Sequence, residues 1–450
     1  MLSNIVRFER FRSTLLNNER TVYVYMPPNY DRDESSRFPV LYVQDGQHAF
    51  QEDESGGSWD LHLIADRLIS EGRVRPFIIV AVAHVSDSRI AEYMHAFPGN
   101  EKALGTESRG ERYEQFLIEE VKPLIDRTFR TLTGPEHTAV MGSSAGGLVS
   151  YNLGFRRPDV FGMVGAFCPY FVVIDQDGRE TWIGQFHKEK PPIRLWMDVG
   201  EAEGYTVLEK HVRSAVDTSL EAGFRQGDDL WYYYVPGSGH NQKDWKARVH
   251  APLLYFFGDV GSPIRVELNG PESVGLTGAC PSFNPIVHYD SGFVATDLDG
   301  KYEVDDPLIM TVSKDGRIVP RKNGRTVVTY RKGSLTASRE VSVVPKLPAD
   351  VSVTIHVEVP ESTPDTDCVY AGIPLPKIGN LLYGGTFQIP RNIAFQFRIS
   401  RGFGLDEKDA HGRDVPYRSF RPEEGLNLAY RVESWSNKRK IGTNHFEEAD

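Results

Sequence analysis

"HTAVMGSSAGGLVSYNLGF", residues 137–155, places two adjacent serines between a short apolar run and a stretch with helical character. A nucleophilic serine at such a junction sits in a sharp strand-to-helix turn. That turn needs small residues two positions away on each side, so that the backbone can fold back and the helix can pack close. Centred on Ser144, those positions are Gly142 and Gly146, which satisfies G-x-S-x-G; centred on Ser143 they are Met141 and Ala145, which does not. Ser144 is the candidate nucleophile, and Ser143 is a small residue beside the turn. "HTAV" reads as a buried strand and "GGLVSYNLGF" as a helix, and this context carries more weight than the pattern, which ordinary glycine-rich connections also produce.

On both sides of this stretch, from residue 20 to about 258, short β-rich runs alternate with amphipathic ones. "TVYVYMPP", "FPVLYVQDG", "FIIVAVAH", "GMVGAFCP", "IRLWMDVG" and "LWYYYVPGSGH" read as further strands. "RYEQFLIEEVKPLIDRTF" carries a broad apolar stripe that Pro123 bends or restarts, and "VLEKHVRSAVDTSLEAGF" carries another that stops at Gly223. Continuously apolar strands separated by helices indicate an α/β fold with a mostly parallel sheet covered on both faces.

A serine hydroxyl is a weak nucleophile at neutral pH and needs a histidine base, itself held by a carboxylate. In an α/β-hydrolase sheet the chain order is Ser, then Asp or Glu, then His. His240 fits, in a Gly-Ser-Gly loop after "LWYYYV" and before a helix starting near Lys243. In "IRLWMDVGEAEGY" three carboxylates compete: Asp198, Glu201 and Glu203. Asp198 falls within the strand, where the pleat fixes its direction. Glu203 lies beyond Gly200 on the loop and is preferred, with Asp198 as the alternative acid. The oxyanion donors expected are the backbone N–H groups of Ala145, next after the nucleophile, and of Gln47, which follows Asp45-Gly46. Phe50, Trp59, Tyr93, Tyr170, Phe171 and Trp182 are candidates for the pocket wall, although aromatic residues are more often core.

With 450 residues, 40% of them hydrophobic and 25% charged, the chain is long enough for two or three globular domains. A net charge of −11 disfavours nucleic acid and anionic membranes as partners. The amino-terminal "MLSNIVRFERFRSTLLNNER" is charged throughout, unlike a signal peptide, and "PFIIVAVA" is too short to span a bilayer. Cys168, Cys280 and Cys368 are too widely spaced for a disulfide framework or zinc cluster. The expectation is a cytoplasmic protein without metal or cofactor, acting on a small-molecule ester, with glycan or a second copy of the chain as further candidate partners.

After "HAPLLYFFGD" the texture turns all-β, with a break near 260 and another at "VVPKLPADVSV", where Pro345, Leu347 and Pro348 interrupt two β-like stretches. The expected domains are therefore 1–260, 261–345 and 346–450.

"VYVYMPPNYDRDESSRFPVLYVQDGQHAF", "RPFIIVAVAH", "HTAVMGSSAGGLVSYNLGFRRPDVFG" and "VPGSGHNQKDW" together resemble the esterase family of α/β-hydrolases that includes esterase D, enterochelin esterase and feruloyl esterases. The resemblance covers the whole first domain. It implies serine carboxylic-ester hydrolysis with nucleophile Ser144, base His240 and an acid after the "LWMDVG" strand, a position that suits Glu203. Substrates across that family range from siderophore lactones to acyl sugars and thioesters. The rival readings are a carbohydrate-binding or scaffolding protein with an inactive hydrolase domain, and a serine peptidase on the same fold. "DDPLIMTVSKDGRIVPRKNGRTVVTYRKGSLTASREVSVV" resembles bacterial immunoglobulin-like group 2 domains, which implies a small β-sandwich. "VSVTIHVEVPESTPDTDCVYAGIP" through "AFQFRISRGFGLDEKDAHGRDVPYRSF" resembles the starch-binding-domain-like sandwich, with Phe403 where a sugar-stacking tryptophan is expected and Trp435 the only tryptophan nearby.

Overall fold

Four runs of the sequence, Val40–Gln44 (β3), Ile78–Val82 (β4), Thr138–Ser143 (β5) and Met163–Phe167 (β6), are buried at every residue. Strands with no polar face need cover on both sides, and these four form the parallel centre of a large sheet. The computed structural model describes residues 4–28, 30–51, 57–85, 88–174, 180–183, 189–203, 209–278, 280–402 and 405–436.

The amino-terminal strands Asn4–Ser13 (β1) and Asn18–Met26 (β2) form an antiparallel hairpin, and β2 joins it to β4. On the other side, Arg194–Ala202 (β7) and Leu230–Gly239 (β8) continue the parallel pairing from β6. The order β1-β2-β4-β3-β5-β6-β7-β8 gives the α/β-hydrolase-like architecture. Helix Ala145–Arg156 (α1) springs directly from β5, and all of it except its last residue is buried. The stripe around Pro123 forms an unbroken helical stretch, Gly110–Gln115, Phe116–Val121 and Lys122–Thr128, whose middle segment widens to π geometry. A wider turn just before a proline accommodates the missing N–H without ending the helix.

The sheet does not end at residue 260. Pro263–Asn269 (β9), Asn284–Tyr289 (β10) and Val294–Thr296 (β11) extend it in the order β8-β11-β10-β9, all antiparallel, to eleven strands. Aromatic packing fixes the join: fully buried Phe293 lies 4.8 Å from the Trp231 ring and 5.7 Å from Trp196. Thr296 Oγ1 accepts the Tyr234 amide at 2.8 Å. The rest of this region adds a four-stranded sheet of Ser273–Gly275, Leu335–Val344, Gly324–Lys332 and Lys301–Val304, and one apolar core runs from Val22 to Val343. The separate domain expected at 261–345 is thus corrected: the compact units are Met1–Pro348 and Ala349–Asp450. The turn chemistry that suggested a boundary marks hairpins at the sheet's edge.

The second unit is β-rich, built on Asp350–Glu358 between Leu382–Pro390 and Leu426–Arg431. Val351, Val353, Ile355 and Val357 alternate inward, as a strand with one buried face requires. Trp435 is buried, its N–H donated to Thr363 Oγ1 at 2.8 Å and its ring covered by Arg401, so its face is not open to a sugar. Phe403 lies outside the described residues.

Ending the chain after residue 260 strips β8 of its neighbour and uncovers Trp231. We expect calorimetry to show a melting temperature lowered by about 10 °C or more. Ending it after residue 348 leaves the first unit's transition in place.

Candidate active site

Ser144 occupies the turn between β5 and α1 with φ 59° and ψ −125°, a conformation that costs a side-chain-bearing residue about 1–3 kcal/mol. Three glycines make room for it. A Cβ on Gly142 would lie 2.5 Å from the Gly146 carbonyl oxygen, one on Gly146 2.9 Å from Asp45 Oδ2, and one on Gly147 2.7 Å from the Phe167 carbonyl oxygen. The Ser144 amide donates to the Phe167 carbonyl at 2.9 Å, which ties the turn to the end of β6. Ser143 completes β5 as a buried strand residue opposite Phe167.

His240 follows β8 directly, and Glu203 follows β7. The strand carrying the histidine runs on through the expected loop to Gly239, with a register shift between Val235 and Gly239. Nδ1 of His240 bonds Oε2 of Glu203, whose side chain is buried. A carboxylate accepts only, so Nδ1 carries the proton and Nε2 of the neutral ring is the acceptor nitrogen. The Gly200 amide donates to Glu203 Oε1 at 3.0 Å. Gly200 has to be glycine, because a Cβ there would lie 2.3 Å from the Ser238 carbonyl oxygen and 2.7 Å from Glu203 Oε1.

Asp198 is directed elsewhere. Fully buried, it accepts from Arg248 Nη2 at 2.9 Å and Nε at 3.1 Å, and from Trp196 Nε1 at 2.9 Å. Burial pushes its carboxyl up from the ordinary range, and Arg248 pulls it back only in part. The partner of His240 is Glu203. Glu201 instead accepts from the Gly237 amide at 2.8 Å.

Three residues to which the sequence reading gave no place at the site complete the surroundings. The Trp245 ring stands edge-on to His240 at 5.0 Å, and its Nε1 donates to Cys168 Sγ at 3.0 Å. Cys168 Sγ, a Glu203 oxygen and a His240 nitrogen all lie within 4.8 Å of one another, the one group of this kind among the described residues. Burial raises the Cys168 thiol well above its usual range, so it stays protonated; Glu203 and His240 already bond each other. The Ser144 amide lies beside the same thiol, which brings the turn at Ser144 and the histidine to one spot. Arg248, on helix Gln242–Arg248, is the third. A lone Cys, Trp or Arg on an apolar helix or strand end carries no spacing signal.

The Gln47 loop is held by charge. Asp45 adopts φ 56°, and a Cβ on Gly46 would meet the Ala81 carbonyl carbon at 2.5 Å, so the loop lies tight on β4. Arg89 grips Asp45 with two bonds of 2.7 and 2.8 Å, His84 Nδ1 meets Oδ1 at 2.8 Å, and the His84 amide donates to Gln47 Oε1 at 3.2 Å. Burial pushes Asp45 up, but Arg89 and His84 together overcome it and hold the carboxyl well below the usual range. Asp45 Oδ2 reaches Gly146, so this loop and the amide of Ala145 flank the same turn.

The aromatic candidates divide. Phe50 and Tyr93 are core, packed on Tyr25 and Tyr113, and Phe171 packs on Tyr151. Trp182 is partly exposed against His211. Trp59 wedges between Phe167 and Trp245 and lines a small crevice with Ser143 and Gln242. Half-buried Tyr170 donates its amide to the Ser144 carbonyl at 3.2 Å. A larger cavity opens beside Arg248, lined by Tyr233, Pro236, Ser238, His250 and Val294, and does not reach Ser144.

The sequence profile of the family described as "Putative esterase" matches residues 13–256, more than half of the chain, and the chain belongs to this family. It is similar to an endo-1,4-beta-xylanase/feruloyl esterase of Xylanibacter ruminicola, 31% identical over 195 residues, which cover 40% of this chain and 24% of that protein. The chain thus matches about a quarter of that relative's length. It is also similar to the uncharacterized protein YbbA of Bacillus subtilis, 25% identical over 248 residues, 53% of this chain and 93% of that one. Among solved structures it matches a ferulic acid esterase from Anaeromyces mucronatus with a TM-score of 0.43 and 23% identity, covering 56% of this chain and 90% of that chain. No helix among the described residues is long and apolar enough to cross a membrane.

Because the Asp45 carboxyl is depressed in the folded state, its contribution is fully present above the unfolded value of about 3.9 and is lost as pH falls through the folded value. We expect Asp45→Asn to lower stability by about 2–3 kcal/mol at neutral pH, since it leaves the largely covered Arg89 without its carboxylate partner. It should also flatten the acid limb of stability against pH, as measured by urea unfolding.

Proposed function

We propose that the protein is a serine carboxylic-ester hydrolase working through an acyl-enzyme, with Ser144 as nucleophile, His240 as base and Glu203 as acid. The observation that carries this is a histidine engaged through Nδ1 by a buried carboxylate, three strands along the sheet from a serine held in a strained turn at the same end of the strands. Ser144 Oγ attacks the ester carbonyl as Nε2 of His240 takes its proton, and Glu203 stabilises the imidazolium that results. The tetrahedral oxyanion is received by the N–H groups of Ala145 and Gln47. His240 then gives its proton to the departing alcohol, and water, activated by the same nitrogen, releases the acid and restores Ser144.

Similarity to a relative named as a feruloyl esterase makes hydroxycinnamoyl esters the first class to test, with acyl sugars next. Tyr170, half-buried beside the Ser144 backbone, suits an aromatic acyl group. We read the unit from Ala349 as a starch-binding-like sandwich in which the buried Trp435 takes no part in sugar stacking.

With p-nitrophenyl acetate and methyl ferulate, Ser144→Ala should lower turnover by about 10³-fold or more, while Ser143→Ala keeps most of it. Equal loss in both variants with unchanged circular dichroism would overturn the assignment of the elbow. Cleavage of amide but not ester substrates would make the protein a peptidase, and a wild type inert on both would sink the hydrolase reading.

A further inference from the structure

Arg248 is fully buried and binds on four sides. Besides its two bonds to Asp198, its Nη1 donates to Ser238 Oγ at 2.6 Å and to the Asp244 carbonyl at 3.3 Å, and its Nη2 lies 3.5 Å from Glu203 Oε1. One guanidinium therefore joins the strand of Asp198, the segment carrying Glu203 and the residue two places before His240. From this geometry we propose that Arg248 is a positioning residue of the site: it holds Asp198 and Glu203 together so that Glu203 meets Nδ1 of His240 in one orientation. The inference rests on the reading of His240 and Glu203 as base and acid.

Charge counting gives the arrangement a second consequence. Asp198 and Glu203 face one guanidinium, so these three groups together carry one uncompensated negative charge, and the proton that His240 takes up lies against it. That is the charge change the attack of Ser144 requires, and it occurs where little water can screen it. The ionisable groups facing the pair are Asp198 on β7, Cys168 after β6, Tyr233 on β8, and Asp244 and Arg248 on the helix after His240. Asp244 Oδ2 is held by the amide of Gly239 at 2.6 Å and by Asn241 Nδ2 at 2.9 Å. The Cys168 thiol and the Tyr233 hydroxyl, both pushed up by burial, stay neutral. Asp198 thus acts at one remove, as the counter-charge that fixes Arg248 and adds to the field at His240.

The test uses the full chain as wild type, Arg248→Met, Arg248→Lys, Asp198→Asn and the double variant Asp198→Asn/Arg248→Met. The readouts are kcat and KM for p-nitrophenyl acetate across the histidine titration range, with thermal melting alongside. Arg248→Met should lower kcat about tenfold or more with KM little changed. Its melting temperature should also fall, because Asp198 is left buried and unpaired. The double variant removes both charges, so it should regain melting temperature without regaining kcat. Arg248→Lys keeps the charge but not the planar fork, and should regain stability more than kcat. Asp198→Asn should remain active while the low-pH limb of kcat/KM moves to lower pH by about half a unit or more, since one negative charge near the imidazolium is gone. A double variant with wild-type kcat, or an unmoved limb in Asp198→Asn, would overturn the proposal and leave Arg248 a structural ion pair. A wild type without ester turnover, or Ser144→Ala with wild-type turnover, would instead overturn the reading on which it rests.

Discussion

The site is organised around a steric constraint at the end of β5. Ser144 is held at positive φ, and the chain can tolerate this only because β5 and α1 approach one another closely on either side of it. Gly142 lies against the Gly146 carbonyl, Gly146 against Asp45, and Gly147 against Phe167. Each contact excludes a Cβ, and together they bring the Gln47 loop, the end of β6 and the turn at Ser144 into contact. A packed helix buried in all but its last residue and four wholly buried strands supply the rigidity that keeps the turn in place.

On this frame the protein buries charge in two clusters, one on each side of the turn. Asp45 with Arg89 and His84 secures the loop that offers Gln47, while Asp198 with Arg248 secures the segment that offers Glu203. Buried pairs of this kind contribute little net stability, because desolvation cancels most of their attraction. Their effect is directional. A carboxylate with several fixed donors has one orientation, and the groups it orients inherit that precision.

The extension of the sheet beyond residue 260 shows where a local reading of sequence stops. Glycine, proline and aspartate after that point announce short strands and turns, and those strands exist. Whether a strand closes its own sandwich or joins a neighbour's edge depends on what that edge offers. Here β8 offers Trp231, and Phe293 packs on it. Neither residue is marked by spacing, since the two lie far apart in the chain and meet only once β8 is in place.

The sequence by itself determined the elements whose cause is local or periodic: the apolar strands, the G-x-S-x-G turn at Ser144, the placement of His240 after a late strand, and Glu203 beyond a glycine. These follow from steric and pleat rules acting within a few residues. Tertiary structure alone decided which carboxylate faces the histidine. Asp198 and Glu203 are close in the chain, and the difference between them is that Arg248 claims one while His240 meets the other. It also sorted the aromatic candidates, sending Phe50, Tyr93 and Phe171 into the core and leaving Tyr170 beside Ser144. Hydrophobic character states that a side chain will be buried; against which neighbours depends on contacts between segments that no single stretch of chain contains.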